Sequence, residues 1–252
     1  MATYYLGWSD ILWQNNEGYD KHIYIVKDQD GDLSSVDDQL IIRGTAEHND
    51  FSDFIFNDTG ALLVEDGVLS RNSRDGLNNT DDTNGDGYLD NDKNKDGVAD
   101  TTVDRHYTPM AITDAQWDIM VQFAASINSA AYSYELLGAN CQAVVVSALS
   151  LVGIDFEQNV PYDSGFFDYV SRNILLSGEG SDTLFGFQGD DTFYDKKGGN
   201  DTFYGGDVNH QSLFDTSDGF DTVRYRSDNA TGNVIVFNDT GFSVYVAHGQ
   251  YN

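Results

Sequence analysis

The chain has 252 residues and a formal net charge of −29 at pH 7. The length allows one large domain or two modest ones, and the charge lies far outside what solubility alone requires. Lysine and arginine together number only 13 and form no patch in the sequence, which argues against a nucleic-acid partner. No apolar stretch reaches the length of a membrane-spanning helix, and Cys141, the single cysteine, excludes an intrachain disulfide.

The first 75 residues have the pattern of β-strands. Residues 23–26 (IYIV) and 40–42 (LII) are apolar runs rich in β-branched side chains, and the turn residues Asp30 and Gly31 lie between them. Asp28, Asp30 and Asp32 form a weak cation-loop pattern there, but a plain hairpin turn is the favoured interpretation.

Two helices are predicted in the middle of the chain. Residues 114–130 have helical periodicity, and Thr113 and Gln116 form the pattern of a capping box at the start. The buried face of this helix should contain Trp117, Met120, Ala124 and Ile127. A second helix should begin near Cys141, be buried on nearly all sides, and end at Gly153.

From about residue 177, a nine-residue pattern of glycine, aspartate and large apolar residues recurs. We expect the glycines to turn the backbone with positive φ, and each aspartate to add a carboxylate to a Ca²⁺ site between neighbouring turns. The predicted ligand positions are Gly178, Gly180, Asp182, Gly189, Asp191, Gly199, Asp201 and Asp221. The residues that should fill the space between two sheets are Leu184, Phe193, Phe203 and Val223. A flexible linker, the rival interpretation, would not place a large apolar residue two positions after each aspartate.

These repeats resemble those of the repeats-in-toxin family. The resemblance implies a parallel β-roll over residues 176–252, export by a type I secretion machinery, and folding triggered by extracellular Ca²⁺. The N-terminal residues MATYYLGWSD show no signal-peptide pattern, which fits export without a cleaved leader. The expected location is therefore outside the cell.

Residues 80–101 contain two acidic segments with a ten-residue period. Oxygen-bearing residues alternate in each segment, so that they can converge on one cation, and Gly87 and Gly97 allow the tight turns. The predicted ligands are Asp82, Asn84, Asp86, Tyr88, Asp90, Asp92, Asn94, Asp96, Val98 and Asp100, of which Tyr88 and Val98 would use backbone carbonyls. Neither segment has the final glutamate of an EF-hand, and both resemble thrombospondin type 3 and dockerin-like calcium loops. A disordered acidic tract is the rival interpretation.

Cys141 follows Asn140 at the predicted start of the second helix. Backbone N–H groups and the helix dipole stabilise a thiolate at such a position. A nucleophilic cysteine also needs a base, and His22, which precedes the strand residues 23–26, is the candidate. The rival interpretation treats Cys141 as a small core residue.

A histidine-bearing strand followed by a cysteine-bearing helix resembles the circularly permuted papain-like cysteine hydrolases, over roughly residues 15–170. The resemblance implies that Cys141 is the nucleophile and that His22 is the general base. It also implies a polar group on a neighbouring strand that orients the imidazole. The candidates for that role are Asp38, Gln39 and His48, of which Asp38 is favoured.

These patterns together predict an α+β chain. A permuted papain-like domain would cover residues 1–175 with a calcium-loop insertion at residues 80–101, and an all-β parallel β-roll would follow at residues 176–252. The predicted function is a secreted, calcium-dependent bacterial cysteine hydrolase that cleaves an amide bond. Peptidoglycan peptides would be the substrate, with a role as a wall-remodelling enzyme or an antibacterial toxin effector that has an immunity protein as partner. Two alternatives stay open: a non-catalytic calcium-binding adhesion or surface-layer module, and thiol chemistry on lipid or thioester acyl groups.

Overall fold

The computed structural model describes residues 2–12, 18–33, 38–47, 60–70, 105–135, 138–159, 174–187, 190–195, 200–205, 222–225, 234–237 and 243–246. Five strands come first: β1 (Thr3–Leu12), β2 (Gly18–Asp28), β3 (Gln39–Ala46), β4 (Leu62–Leu69) and β5 (Arg105–Met110). Two α-helices follow, α1 (Asp114–Ala130) and α2 (Cys141–Leu151), and then a 3-10 turn (Glu157–Asn159). The remaining strands are β6 (Ile174–Leu176), β7 (Thr183–Phe185), β8 (Thr192–Asp195), β9 (Thr202–Tyr204), β10 (Thr222–Tyr225), β11 (Val234–Phe237) and β12 (Ser243–Val246).

The first five strands form one antiparallel sheet in the order β4-β3-β2-β1-β5. Side chains alternate between the two faces of such a sheet. On β2, Ile23 and Ile25 pack into the main core together with the helices, whereas Tyr24 and Val26 form a separate cluster with Ile41 of β3. The predicted strand residues 23–26 and 40–42 lie in β2 and β3, and the edge strand β5 was not predicted.

Helix α1 has the predicted bounds and the predicted start. The Thr113 hydroxyl accepts a hydrogen bond from the backbone N–H of Gln116 at 3.2 Å, and the Gln116 side chain accepts one from the backbone N–H of Thr113 at 3.0 Å. The predicted capping box is therefore confirmed. The side chains predicted to be buried, Trp117, Met120, Ala124 and Ile127, all lie in the core.

Helix α2 joins the antiparallel sheet to the C-terminal strands. It is buried on almost every side, as predicted, and the chain leaves it at Gly153, which has φ 73°. The Ser147 hydroxyl donates to the Ala143 carbonyl at 2.6 Å and accepts a hydrogen bond from the N–H of Leu176 in β6 at 2.7 Å. The Ser150 hydroxyl makes a similar pair of contacts with the backbone of Phe185 in β7. The helix thus satisfies backbone groups in the first strand of each C-terminal sheet.

Successive C-terminal strands alternate between two sheets. β6, β8 and β10 form one parallel sheet, and β7, β9 and β11 form the other, which β12 extends in antiparallel orientation. Leu184, Phe193 and Phe203 are buried as the repeat pattern predicts, and the rings of Phe193 and Phe203 stack with centroids 4.9 Å apart. Side chains two positions after the repeat aspartates therefore fill the space between the strands.

The main hydrophobic core continues across the predicted domain boundary. Leu184, Phe193 and Phe203 belong to the same cluster of buried residues as the helices and β1. The boundary predicted between residues 175 and 176 falls inside β6. The assignment of a papain-like domain followed by a β-roll stays a prediction.

Candidate functional site

The turns before β7 and β9 stack on each other through two aspartates. The Asp182 carboxylate accepts a hydrogen bond from the backbone N–H of Gly178 at 2.7 Å. One oxygen of the Asp201 carboxylate accepts from the backbone N–H of Asp182 at 2.9 Å, and the N–H of Thr202 donates to the Asp182 carbonyl at 2.8 Å. Residues 182 and 201 therefore occupy equivalent places in neighbouring turns, as the sequence spacing predicts.

Both carboxylates lie in buried surroundings. Asp201 is only 2% exposed, and its second carboxylate oxygen, Oδ2, has no hydrogen-bond partner among the described residues. Burial, opposed by the hydrogen bond from Asp182 and aided by the charges of Asp195 and Asp182, raises the pKa of Asp201 to about 7. Burial also raises the pKa of Asp182. Within the described part of the chain, neither Asp182 nor Asp201 forms an ion pair with lysine or arginine.

Asp191 occupies the corresponding place before β8. Its side chain is buried, and its carboxylate lies so close to Gly186 that a Cβ at that position would overlap it. Asp195, at the end of β8, is also buried. Asp195 was missed because it lies outside the nine-residue pattern, although its charge adds to that around Asp201.

The predicted reason for the repeat glycines is wrong at two positions. Neither Gly178 nor Gly180 has φ in the left-handed region. A Cβ at Gly178 would instead overlap the side chain of Ser126 in α1, and a Cβ at Gly180 would lie 3.8 Å from the Asp182 carboxylate. Close approach of a neighbouring helix explains Gly178 better than turn geometry does.

Many predicted ligands lie outside the described residues. They are Asp82, Asn84, Asp86, Tyr88, Asp90, Asp92, Asn94, Asp96, Val98 and Asp100 of the acidic segments, and Gly189, Gly199 and Asp221 of the repeats. The calcium-loop insertion at residues 80–101 therefore stays a prediction.

Cys141 is the first residue of α2. The Asn140 side chain caps this helix by accepting a hydrogen bond from the N–H of Ala143 at 3.0 Å. Cys141 is 7% exposed. On the sheet side it lies against Gly44 of β3, where a Cβ would come within 3.0 Å of the Cys141 Cα. The helix start therefore sits directly on the sheet because residue 44 has no side chain.

His22 lies on β2, but the strand turns its side chain to the other face of the sheet. The β1–β2 register is unbroken from Thr3 opposite Asp28 to Ile11 opposite Asp20. Alternation therefore places His22 with Tyr24 and Val26, on the face opposite to the helices. This alternation argues against direct contact between the imidazole and Cys141, and the pairing stays a prediction.

Asp38, which directly precedes β3, lies beside the end of β2 that is far from His22. The backbone N–H of Asp30 donates to the Asp38 carboxylate at 3.2 Å, which places Asp38 beside the turn after Asp28. Asp28 lies six positions after His22 along β2, a distance of about 20 Å in an extended strand. The structure therefore does not bring Asp38 to the imidazole it was predicted to orient. The other two candidates do not replace it, since Gln39 is next to Asp38 and His48 lies outside the described residues.

No protein-family model, curated protein or solved structure matches this chain. Neither of the two α-helices in the described residues is long and apolar enough to cross a membrane.

Proposed function

We propose that this chain is a calcium-dependent protein whose C-terminal strands reach their full stability only when Ca²⁺ neutralises carboxylates at their turns. The observation that carries this proposal is Asp201, which is almost fully buried, has a raised pKa, and has one carboxylate oxygen without a hydrogen-bond partner among the residues that the structure describes. An isolated ionised carboxylate in such surroundings is strongly destabilising. A cation bound among the turns would remove that penalty.

Ca²⁺ is the cation that suits these turns best. It takes six to eight oxygen ligands with flexible geometry, including carboxylates and backbone carbonyls. The repeated turns supply both kinds of oxygen, and the stacking of residue 182 on residue 201 brings two turns together. The parallel alternation of β6 to β11 between two sheets supports the proposed β-roll.

The direct test is a calcium titration of the full chain after metal removal by EGTA. Equilibrium dialysis should show bound Ca²⁺, and the midpoint of thermal unfolding should rise with its concentration, because a ligand that binds only the folded state stabilises it. Asp182→Asn should weaken this response, whereas Asp190→Asn, at an exposed neighbouring position, should leave it nearly unchanged. Absence of both bound metal and a thermal shift in the unaltered chain would refute the proposal.

A second candidate function is cysteine hydrolysis of an amide bond. The observation that favours it is the position of Cys141 at the capped N-terminus of α2, where the helix dipole stabilises a thiolate. The thiolate would attack the amide carbonyl carbon and form a tetrahedral intermediate. Collapse of this intermediate would expel the amine, which takes up a proton, and leave a thioester. Attack by water would then release the carboxylic acid and restore the thiol.

The proposed setting follows from the two candidate functions together. A calcium-dependent hydrolase would act outside a bacterial cell, after export by a type I machinery and with folding completed by external Ca²⁺. Peptidoglycan peptides are the proposed substrate, and an immunity protein would be the partner of a toxin effector. A non-catalytic adhesion or surface-layer module would share the calcium sites and lack the thiol activity.

Thiol reactivity separates the enzyme from the adhesion module. An activated Cys141 should react with iodoacetamide at pH 6 in the folded protein, whereas a structural thiol should resist until the chain unfolds. Cys141→Ala should abolish release of amines from peptidoglycan peptides without changing calcium uptake. Hydrolysis that survives Cys141→Ala would exclude this cysteine as the nucleophile.

The base requires its own test, because strand alternation turns His22 away from Cys141. His22→Gln should slow hydrolysis and shift its pH profile if the imidazole reaches the thiol. His106→Gln is the matched control, since His106 is exposed and stacks on Trp8 with ring centroids 5.2 Å apart. Equal activity of the two variants would remove His22 from the mechanism.

A further inference from the structure

A group of three carboxylates lies at the end of the β2–β3 hairpin, far from the C-terminal repeats in sequence. Asp28 ends β2, Asp30 lies in the turn, and Asp38 precedes β3. One carboxylate oxygen from each of these residues lies within 4.8 Å of the others. Ligands of a single Ca²⁺ ion, each about 2.3–2.6 Å from the metal, cannot be more than about 5 Å apart. The three oxygens therefore satisfy the distance condition for one calcium ion.

An unsatisfied buried oxygen gives an independent reason to place a cation there. Asp28 is 0% exposed, and its Oδ1 accepts a hydrogen bond from the backbone N–H of Gly31 at 2.6 Å. Its Oδ2 has no hydrogen-bond partner among the described residues. A fully buried carboxylate oxygen without a partner is costly, and a metal ion is a ligand that would satisfy it.

The surroundings supply no other positive charge to this group in the described part of the chain. Lys27, the adjacent residue on β2, directs its ammonium group to Asp114 at 2.7 Å. Desolvation, together with the nearby carboxylates of Asp30 and Asp28, raises the pKa of Asp38. The three acidic groups therefore repel one another when no ion is bound.

We propose that Asp28, Asp30 and Asp38 bind a divalent cation, Ca²⁺ in preference to Mg²⁺, and that this ion fixes the β2–β3 hairpin. Oxygen ligands with flexible spacing favour Ca²⁺, because Mg²⁺ requires octahedral geometry with bonds of about 2.0–2.1 Å. The remaining positions of the ion would be filled by water or backbone carbonyls. This site is separate from the C-terminal turns, and it can exist whether or not those turns bind calcium.

The test compares two double variants of the full chain. Asp30→Asn with Asp38→Asn removes two of the three charges but keeps an amide oxygen for the hydrogen bonds of the turn. Asp118→Asn with Glu135→Gln removes the same charge at exposed positions and is the control. Bound Ca²⁺ is counted by equilibrium dialysis and atomic spectroscopy, after circular dichroism has established that each variant is folded. We expect one ion fewer per chain in the hairpin variant, and equal counts in the two variants would overturn the proposal.

A second measurement serves if the hairpin variant does not fold. Hydrogen exchange is followed for peptides that cover residues 27–46, in Ca²⁺ and in EGTA. The chain for this experiment carries Asp182→Asn and Asp201→Asn, so that the C-terminal turns contribute less to the calcium response. Slower exchange of the hairpin in Ca²⁺ is the expected result, and Mg²⁺ at the same concentration should protect it less. Identical exchange in Ca²⁺ and EGTA would refute the site.

Discussion

The antiparallel sheet and the C-terminal strands are stabilised by different interactions. Strands β1 to β5 are six to eleven residues long, and they bury branched aliphatic and aromatic side chains against two helices. Strands β6 to β12 have only three or four residues each, and buried aspartates lie next to or within β7, β8 and β9. Apolar burial dominates the first region, where the proposed cation is confined to the β2–β3 hairpin. In the second region, buried carboxylates recur before successive short strands, and we propose that Ca²⁺ compensates them.

Helix α2 limits how independent the two regions can be. Ser147 and Ser150 hydrogen-bond to the backbones of β6 and β7, and the helix also packs on β2 and β3. A terminal repeat of a stacked array needs such a cap, because its first strands would otherwise leave backbone groups buried and unpaired. We therefore expect α2 to be part of both regions, and the strands that follow it to depend more strongly on calcium than the strands that precede it.

The largest expected effect is the response to calcium removal. In EGTA, backbone amides of β7, β8 and β9 should lose most of their protection against hydrogen exchange, because the buried carboxylates then repel one another. Amides of β1 and of β2 up to Val26 should keep most of theirs, since their core is apolar, whereas residues 27–46 should respond only to the ion proposed for the hairpin. Exchange measured by mass spectrometry checks both statements. Equal loss of protection in the two regions would break the comparison, and no loss in either would contradict the calcium proposal.

The next effect is a change in the free energy of unfolding on replacing Asp201, with opposite signs in EGTA and in Ca²⁺. Its pKa in the folded chain is about 7, above that of an unfolded aspartate at about 3.9. Without Ca²⁺, the protonated Asp201 side chain therefore makes its full contribution to stability below about pH 4. This contribution is lost as the pH rises through about 7 and the carboxyl group ionises. Asp201→Asn should raise the free energy of unfolding at pH 8 in EGTA, on the order of 4 kcal/mol for a shift of about three pKa units, and leave it nearly unchanged at pH 4.

Calcium should reverse that result. When Ca²⁺ is bound, the Asp201 carboxylate is a ligand, and Asp201→Asn should lower the free energy of unfolding at pH 8. Denaturant titrations at both pH values, with and without Ca²⁺, measure the change. Asp190→Asn, at an exposed position beside a repeat turn, should show neither effect. A variant that is destabilised in EGTA as well as in Ca²⁺ would mean that Asp201 acts through its hydrogen bond and not through a metal.

A smaller loss of stability should follow from removing a contact between α2 and β6. Ser147→Ala removes the acceptor for the buried N–H of Leu176, and an unsatisfied buried donor costs about 1–3 kcal/mol. Because the contact joins α2 to β6, the loss of stability should reach both the antiparallel sheet and the C-terminal strands. Hydrogen exchange of peptides from each region, followed as the temperature rises, measures this loss. Ser133→Ala, at an exposed position, is the control. A loss confined to the C-terminal strands would show that α2 belongs to the antiparallel region alone.

Local features of the chain could be predicted from the sequence because they depend on neighbouring residues. Thr113 and Gln116 define the start of α1, the pattern of apolar residues defines its buried face, and Gly153 marks the end of α2. The positions of Asp182 and Leu184 within a repeat likewise predict that both side chains are buried. Each of these predictions uses contacts within a few positions along the chain.

The predictions that failed required knowledge of the tertiary arrangement. Asp38 was assigned to a histidine on the adjacent strand, but the hairpin register places it beside Asp28 and Asp30. Gly178 was assigned to a positive φ, but the approach of Ser126 from α1 is what requires the absence of a side chain. Sequence patterns name the residue types that a site needs, and strand register decides which of them meet.

The smallest expected effect concerns the start of α2. Asn140→Ala removes the hydrogen bond to the N–H of Ala143, which should cost about 1 kcal/mol, and Asn140→Ser should restore most of it because serine is also a good N-cap. The loss should be equal in Ca²⁺ and EGTA, since the cap belongs to the helix and involves no carboxylate. Reactivity of Cys141 with iodoacetamide should fall in the alanine variant if the ordered helix start activates the thiol. A loss of stability seen only in Ca²⁺ would instead tie the cap to the C-terminal strands, and it would move the boundary between the two regions to the N-terminal side of α2.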